Sequence, residues 1–363
     1  MLIDNSSCTS NPFAESLLKH RDTDITGVCK EEKAIVVKNL YKTYYIHKFV
    51  PPPVRIYRKI RGVKPKLQGV QALQNINFEV NKGEIFGIIG PDGAGKTTLF
   101  RILTTLLLPD NCNGEEKKDT MPIQTTIFIE GQNALADFQK IRNISGYMPG
   151  KFSLYMDLTV EENLRFFATL FNTTIEENYH LIKDIYQQIE PFKDRKAGAL
   201  SGGMKQKLAL SCALIHKPKV LFLDEPTTGV DPVSRKEFWE MLHRLKEQEI
   251  TILVSTPYMD EASLCDRIAF IQKGKILTIN TPEKIIADFP NKIYAVEEEN
   301  NYEILKHLRQ SSAVYSVFSF GDSLHVIFNE GFSPQNENNN IHFKEIKPTI
   351  EDCFMKLSQN EPN

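Results

Sequence analysis

The sequence predicts an α/β fold built on a parallel sheet, followed by a small α+β domain. Three short and nearly uninterrupted apolar runs predict buried strands: Glu84–Gly90, Val220–Leu223 and Ile252–Val254. Strands of a parallel sheet are buried on both faces, so they lack the alternation of half-buried strands. The helical patterns Val160–Phe171 and Glu177–Ile189 lie between these runs. Strands that alternate with helices are typical of a parallel α/β sheet.

Local patterns predict the elements around these strands. Ile35–Val37 predicts the start of a first strand, and Ile76–Val80 alternates apolar and polar residues as a half-buried strand does. Leu99–Leu108 predicts a helix. Thr159 and Glu162, three residues apart, form a capping box, which marks a helix start.

Three segments interrupt these patterns. Residues 1–32 are polar without apolar periodicity and predict a disordered tail, and Asn111–Thr126 predicts a loop insertion. Residues 46–70 form a basic insertion without acids, and its prolines at 51–53 oppose a helix or a central strand. Its basic residues are Lys48, Arg55, Arg58, Lys59, Arg61, Lys64 and Lys66. We interpret it as a solvated surface loop, with contact to anionic lipid headgroups or an acidic partner as the alternative.

The C-terminal part changes in character from about residue 291. Val314–Phe320 and Leu324–Phe328 predict two strands around a Gly321-Asp322 turn. The segment Thr349–Leu357 places its apolar residues on one helical face. We therefore expect an α/β domain over 33–290, with a helical subdomain at about 150–215, and a small accessory domain over 291–363.

Composition excludes several classes of function. The formal net charge of -2 gives no chain-wide signature of nucleic-acid binding, so we expect no nucleic-acid partner. The six cysteines include no C-x-x-C pair, which argues against a zinc site or a disulfide framework and favours free thiols in a reducing cytoplasm. No stretch is long and apolar enough to span a bilayer, and no signal peptide is evident. If the protein acts at a membrane, we expect another chain to span it.

A glycine-rich loop between a predicted strand and a predicted helix indicates a phosphate site. The segment GPDGAGKTT fits the P-loop pattern, in which backbone N–H groups and a helix N-terminus surround a phosphate. Lys96 would neutralise the β- and γ-phosphates, and the Thr97 hydroxyl would coordinate Mg²⁺. The candidate ATP-binding residues of this loop are Gly90, Pro91, Asp92, Gly93, Ala94, Gly95, Lys96, Thr97 and Thr98.

The run Leu221–Glu225 supplies two carboxylates at the end of a predicted buried strand. Asp224 would hold Mg²⁺, usually through water. Glu225 would polarise the attacking water as the catalytic base. Such a pair is often only structural, but next to a P-loop it indicates hydrolysis of ATP.

The segment LSGGM at 200–204 resembles the signature motif of ABC ATPases. Ser201, Gly202 and Gly203 precede the predicted helix Met204–His216, where a helix start favours an anion. The resemblance implies that these residues contact the γ-phosphate held by a second ABC ATPase subunit, in a head-to-tail dimer that encloses two ATP molecules. It implies a P-loop NTPase of ABC type, with ATP and Mg²⁺ as its ligands, over about 35–286.

Two more site residues follow from this resemblance. Tyr44 resembles the aromatic residue that stacks on adenine, and Tyr41 and Tyr45 are nearby candidates. The segment Val230–Pro232, which contains Asp231, resembles the loop that links the two nucleotide sites in the family.

Longer stretches are similar to one subgroup, the drug and antibiotic exporters. They are GPDGAGKTT, LSGGMKQK, YMDEA at 258–262 and IKPTIED at 346–352. The resemblance implies a peripheral subunit at the cytoplasmic face of a membrane, which powers separate integral-membrane permease subunits. Phe152–Tyr155 would contact the permease, or they would be ordinary packing residues.

Two residues depart from the family pattern. Gly150 stands where the family has a glutamine that contacts Mg²⁺ and the attacking water, and Pro257 stands where it has a histidine that contacts the γ-phosphate. Neither residue has a side chain for that task. The chain's own site would then turn over slowly, unless water or a neighbour such as Lys151 or Ser255 substitutes.

Three classes of protein remain to be weighed. An ATPase that drives efflux is favoured. ABC proteins of translation or DNA maintenance have tandem ATPase domains or long coiled-coil arms, and neither is visible in this sequence. A regulatory subunit with low turnover, in a mixed pair of ABC ATPases, is the alternative that Gly150 and Pro257 keep open.

Overall fold

A computed structural model describes residues 32–47, 67–110, 125–151, 153–298, 300–334 and 341–359. The predicted tail, except for Glu32, lies outside the described residues, as do most of the basic insertion and most of the loop insertion. No helix among the described residues combines the length and the apolar character that crossing a membrane requires.

The chain forms strands and helices in this order: β1 Lys33–His47, β2 Leu67–Asn81, β3 Ile85–Ile89, α1 Lys96–Leu103, β4 Thr126–Ile129, β5 Gln132–Asn133, α2 Phe138–Ile144, β6 Ser145–Met148, α3 Val160–Leu170, α4 Ile175–Tyr186, α5 Gly202–Leu214, β7 Val220–Asp224, α6 Pro232–Glu247, β8 Thr251–Thr256, β9 Arg267–Gln272, β10 Lys275–Asn280, α7 Pro282–Ala287, β11 Ile293–Val296, α8 Asn301–Gln310, β12 Val314–Phe320, β13 Ser323–Phe328, β14 Lys344–Ile346 and α9 Ile350–Gln359. A short 3₁₀ helix, Asp260–Leu264, follows β8.

The central sheet has the strand order β10-β9-β3-β8-β7-β6. Its strands pair in parallel except for β10, which pairs antiparallel with β9. Every residue of β3, β7 and β8 is buried, as expected of strands covered on both faces. The three apolar runs that predicted a parallel sheet are therefore confirmed as adjacent strands.

A second, antiparallel sheet has the order β2-β1-β4-β5. Its first two strands pair from Lys33 with Asn81 to His47 with Leu67. Residues 46–47 and 67–70, which the sequence assigned to the basic loop, are therefore ends of paired strands, and that assignment is wrong for them. The prolines that motivated it lie at 51–53, beyond these strand ends.

The segment between β6 and β7 is helical. The Thr159 hydroxyl accepts the Glu162 backbone N–H at 3.1 Å, and the Glu162 carboxylate accepts the Thr159 N–H at 2.7 Å, which confirms the predicted capping box. Helix α1 differs from prediction, because it ends at Leu103 instead of Leu108. Thr105 has a φ of 59°, a left-handed conformation that a helix cannot continue through.

The accessory segment forms an antiparallel sheet of order β12-β13-β11-β14 with α8 and α9. The predicted strands at 314–320 and 324–328 are confirmed as β12 and β13. Helix α9 attaches this part to the preceding domain. The Phe354 ring packs edge-on against Phe270 at 5.3 Å, and the Cys353 thiol donates to the Ile285 carbonyl at 3.6 Å.

Candidate nucleotide-binding site

The glycine-rich loop joins the carboxyl end of β3 to the N-terminus of α1. Gly95 has a φ of 108°, and a Cβ atom there would lie 2.5 Å from the Ala72 carbonyl oxygen. A Cβ on Gly90 would lie 2.1 Å from the Ile271 carbonyl oxygen. Only glycine fits both places. The first backbone N–H groups of a helix have no partner within the helix, so this loop and the start of α1 suit a phosphate.

Lys96 is the first residue of α1 and is 3% exposed. Its ammonium group donates hydrogen bonds to the carbonyls of Gly90 at 2.8 Å and Pro91 at 3.1 Å. It also forms an ion pair with the Glu225 carboxylate at 3.1 Å. A lysine ammonium has three donors, of which these two carbonyls use two, and the Asp92 carboxylate lies 4.0 Å from the same group. The structure therefore brings the two predicted catalytic residues, Lys96 and Glu225, into direct contact.

Asp224 ends β7 and is buried, and Ser255 of the neighbouring strand β8 holds it in place. The Ser255 hydroxyl donates to Asp224 Oδ1 at 2.7 Å. The Glu225 backbone N–H donates to the same hydroxyl and to the Ser255 carbonyl, both at 3.0 Å. From the sequence, Ser255 is expected only as a substitute for the side chains that are missing at Gly150 and Pro257. Its link to both carboxylate residues comes from strand pairing that no local pattern encodes.

The surroundings of Asp224 include Tyr147, which lies on β6, the strand that pairs with β7. Burial raises the pKa of Tyr147 to about 12, with a further contribution from the negative charge of Asp224. The phenol is therefore neutral at neutral pH and can act only as a hydrogen-bonding group.

The donor set suits a magnesium ion. Thr97 is half-buried on α1 and carries a hydroxyl, and Asp224 carries a carboxylate. Hard oxygen donors of this kind are those that Mg²⁺ prefers, usually with waters and substrate phosphates as its other ligands. No cluster of three His, Cys, Asp or Glu side chains that could hold a metal occurs among the described residues.

The two departures from the family pattern lie beside the carboxylates. Gly150 approaches so closely that a Cβ atom would lie 2.9 Å from the Asp224 carbonyl oxygen and 3.6 Å from Glu225 Cβ. Pro257 directly follows β8, next in the chain to Thr256. Of the proposed substitutes, Lys151 is exposed, whereas Ser255 is buried against Asp224 and Glu225.

Ser201 is the N-cap of α5, and its hydroxyl accepts the Met204 N–H at 3.3 Å. Ser201 and Gly202 are exposed, so they are available to a ligand outside this chain's own loop. Gly203 is buried, and a Cβ there would lie 2.7 Å from Ser234 Oγ. The predicted signature residues therefore pack against the N-terminus of α6.

Asp231 is the N-cap of α6 and accepts the Ser234 N–H at 3.0 Å. This hydrogen bond holds the pKa of the Asp231 carboxyl below its usual value. The carboxylate is therefore charged at neutral pH, next to the signature segment.

Tyr44 lies on β1, and its hydroxyl is 3.4 Å from Thr98 Oγ1 of α1. Of the three candidate aromatic residues, Tyr45 is 71% exposed and Tyr41 contributes its carbonyl to a loop contact with Asp110. Tyr44 is thus the candidate whose ring lies beside the P-loop helix.

The comparisons with known proteins agree with this geometry. The profile of the "ABC transporter" family matches residues 73–228. The probable multidrug ABC transporter ATP-binding protein YbhF of Escherichia coli is 34% identical over 315 residues, which are 82% of this chain and 51% of that protein. This chain thus spans about half the length of that relative.

One relative is matched over nearly its whole length. The Nod factor export ATP-binding protein I of Rhizobium sp. is 30% identical over 314 residues, 83% of this chain and 97% of that protein. A dimeric structure of a bacterial ABC transporter cassette aligns with a TM-score of 0.53 and 25% identity, over 68% of this chain and 98% of that chain. These similarities agree in the family that they indicate.

Proposed function

This chain belongs to the family of ABC transporter ATP-binding proteins, and we propose that it binds and hydrolyses ATP to power export of a small molecule through separate permease subunits. The observation that supports hydrolysis most directly is the contact of Lys96 with Glu225, between the P-loop and the end of β7. Both groups lie at the carboxyl edge of the central sheet, the edge at which ligands of open α/β sheets bind.

The residues divide the chemistry among them. The P-loop N–H groups and Lys96 would hold the phosphates, and Thr97 with Asp224 would hold Mg²⁺, which offsets the charge of the phosphates. Glu225 would accept a proton from the attacking water, since it is the carboxylate adjacent to the phosphate site. A phosphate that binds the Lys96 ammonium would compete with the Glu225 carboxylate, which lies 3.1 Å from it. If the phosphate displaced the Glu225 carboxylate from Lys96, this one exchange would both bind the phosphate and free Glu225 to act as the base.

The same reasoning supports a second ABC ATPase subunit as a partner. Ser201 and Gly202 are exposed at a helix N-terminus, a location that favours a phosphate supplied by another chain. Asp231 lies beside them and carries a charge. The related cassette noted above is a dimer.

A second candidate function is a subunit with low turnover in a mixed pair. Gly150 and Pro257 lack side chains that could contact the γ-phosphate or the attacking water. Losing one such contact commonly lowers turnover by about a hundredfold or more. In a mixed pair this chain would lend Ser201–Gly203 to a partner whose own site is complete.

Contact with a permease is supported by an apolar cleft beside the helical segment. The cleft has a volume of about 270 Å³, and Met148, Leu154, Phe167 and Phe171 are among its lining residues. Tyr155 is 49% exposed nearby in sequence, whereas Phe152 lies outside the described residues. Apolar surface that stays exposed beside a cleft is typical of a protein–protein contact. We propose this surface as the permease contact at the cytoplasmic face of the membrane, with a drug or antibiotic as cargo, as the multidrug and Nod factor relatives suggest.

Hydrolysis is tested by steady-state turnover of Mg-ATP with the purified chain and its Glu225→Gln variant. We expect turnover that the variant lowers by at least about a hundredfold, the range for a lost general base. We also expect ATP binding to be kept or tightened, because glutamine removes the charge of the nearer of the two carboxylates that are ion-paired with Lys96. Tight binding without turnover in the wild-type chain would favour the low-turnover candidate. Failure to bind nucleotide would refute both.

The permease contact is tested with a photo-crosslinking amino acid at Tyr155 in cells of the native host. The matched control places it at Tyr302, which is 73% exposed on α8 of the accessory domain. We expect Tyr155 alone to cross-link to an integral membrane protein. Equal labelling from both places would contradict the proposed contact. Purifying the cross-linked complexes also shows whether the ATPase partner is a second copy of this chain or a different chain.

A further inference from the structure

One arginine outside the predicted site contacts the segment that follows Pro257. Arg235 lies on α6, four residues after Asp231, and its side chain is 22% exposed. Its guanidinium carbon lies 4.2 Å from the centre of the Tyr258 ring. The same group reaches Asp260 at 3.6 Å and Glu261 at 3.7 Å. A single side chain thus contacts three residues of the short segment that begins at Pro257.

The partner Glu261 is 1% exposed, and neither of its carboxylate oxygens has a hydrogen-bond partner among the described residues. Arg235 Nε is also buried without a hydrogen bond in that part of the chain. Among the described residues, Arg235 is the cation that lies within 4.0 Å of the Glu261 carboxylate. A buried charge is costly unless a counterion is close. Glu261 therefore depends on Arg235, and the segment that carries Glu261 depends on it too.

Other carboxylates increase this dependence. Glu351 belongs to α9, which packs against the 3₁₀ helix Asp260–Leu264. Burial raises the pKa of Glu351, and the negative charge of Asp260 raises it further. Asp260, Glu261 and Glu351 thus place several acidic groups around this helix, and Arg235 forms ion pairs with two of them, Asp260 and Glu261.

The contacts continue from this segment to the P-loop. The Tyr258 N–H donates to Thr256 Oγ1 at 3.0 Å, and the Thr256 carbonyl accepts the Gly90 N–H at 3.3 Å. A series of contacts therefore runs from the start of α6 through Arg235 and Tyr258 to the first residue of the P-loop. In this chain Pro257, in the middle of the series, has no side chain that can contact a phosphate.

We propose that Arg235 is a positioning residue, which holds the segment Pro257–Leu264 against α6 and thereby keeps the end of β8 in register with the P-loop. This rests on the proposed hydrolysis of ATP only for its effect on turnover. Because the site lacks the histidine contact at position 257, the placement of the segment depends on Arg235.

The structural arm of the test needs no turnover. Hydrogen–deuterium exchange is followed in peptides that cover residues 256–264, in the full chain and in Arg235→Ala, Arg235→Lys and Tyr258→Leu variants. The control is Arg244→Ala, an exposed arginine of the same helix. We expect faster exchange in this segment for Arg235→Ala and Tyr258→Leu, partial protection for Arg235→Lys, and no change for Arg244→Ala. Unchanged exchange in the folded Arg235→Ala or Tyr258→Leu variant would overturn the proposal.

The functional arm is a double-mutant cycle with Pro257→His. We expect Arg235→Ala to lower kcat by about two- to thirtyfold with little change in KM, the usual range for residues that couple segments. In the Pro257→His background the loss should fall below about twofold, because the histidine supplies a contact of its own. An equal loss in both backgrounds would overturn the proposal. A wild-type chain without turnover would count against hydrolysis, and the exchange experiment would still decide the role of Arg235.

Discussion

Replacing Gly150 by alanine should destabilise the protein, because the backbone at this residue lies against the end of β7. A Cβ atom there would be 2.9 Å from the Asp224 carbonyl oxygen, whereas ordinary contact begins at 3.4 Å. The obstacle is backbone and not a flexible side chain, so the loop after β6 must retreat by several tenths of an ångström. The φ of Gly150 is not left-handed, and steric contact is the reason that remains.

The magnitude follows from two opposing effects. Overpacking of this kind costs typically about 1–3 kcal/mol. Alanine regains roughly 0.4–1 kcal/mol because it reduces the freedom of the unfolded chain. The two ranges leave a net fall in the free energy of unfolding of roughly 0–2.6 kcal/mol, and we expect a value near the middle, about 1–2 kcal/mol. Urea unfolding followed by circular dichroism measures it, with Gly69→Ala as the control, since a Cβ there would lie at an ordinary 3.4 Å from Thr43.

The functional consequence concerns the missing glutamine. A Gly150→Gln variant meets the same contact, so its side chain would be displaced together with the loop. We expect its turnover of ATP to stay at or below that of the wild-type chain. A Gly150→Ala variant as stable as the wild type would refute the steric reasoning. A Gly150→Gln variant that gains tenfold or more in kcat would refute the functional consequence.

Two further predictions test the adenine contact and the accessory helix. Tyr44→Ala should raise the Kd for ATP by roughly tenfold, since stacking contributes about 1–3 kcal/mol per base. The control is Tyr45→Ala, at an exposed residue, which should leave the Kd unchanged. Equal effects of the two substitutions in titrations with a fluorescent ATP analogue would contradict this prediction. Burial alone would raise the pKa of Asp352, but hydrogen bonds from His325 and Thr349 outweigh it and hold that pKa below its usual value. The charge therefore stabilises the fold above the unfolded pKa and ceases to do so as pH falls through the folded pKa. Asp352→Asn should lower the free energy of unfolding by about 1.5–3 kcal/mol at neutral pH. Urea unfolding should show this difference shrink towards pH 3. A difference that does not depend on pH would argue against a stabilising role of the charge.

Features set by short-range patterns could be predicted from the sequence. The runs that became β3, β7 and β8 are apolar because both faces are covered, and burial on both faces leaves that signal in any sequence. The capping box at Thr159 is equally local, since its two hydrogen bonds join residues three apart. The P-loop belongs to the same class, because its glycines are required by the path of its own backbone.

Features set by distant contacts could not be predicted. Ser255 reaches Asp224 across 31 residues of sequence, and only the pairing of β7 with β8 brings them together. Arg235 reads as an ordinary charged residue on the exposed face of a helix, and its role depends on a segment that follows a later strand. The length of β1 and β2 was also hidden, because the prolines of the basic insertion dominated the interpretation of the strand ends next to it.

Gly150 and Pro257, the two departures from the family pattern, lie on opposite sides of the same strand. In the central sheet β7 lies between β6 and β8, and the two departures follow the carboxyl ends of β6 and β8. They therefore lie on the two sides of β7, the strand that ends at Asp224 and is followed by Glu225. Between them, Asp224 keeps its hydrogen bond from Ser255, and Glu225, the proposed base, keeps its contact with Lys96. In the proposed mechanism the chain thus lacks the side chains that would contact a phosphate or water from either side, while it keeps the residues proposed as magnesium ligand and base. Binding of ATP should be the better preserved of the two activities, and the rate of hydrolysis should be the quantity that a partner subunit or a restored side chain alters.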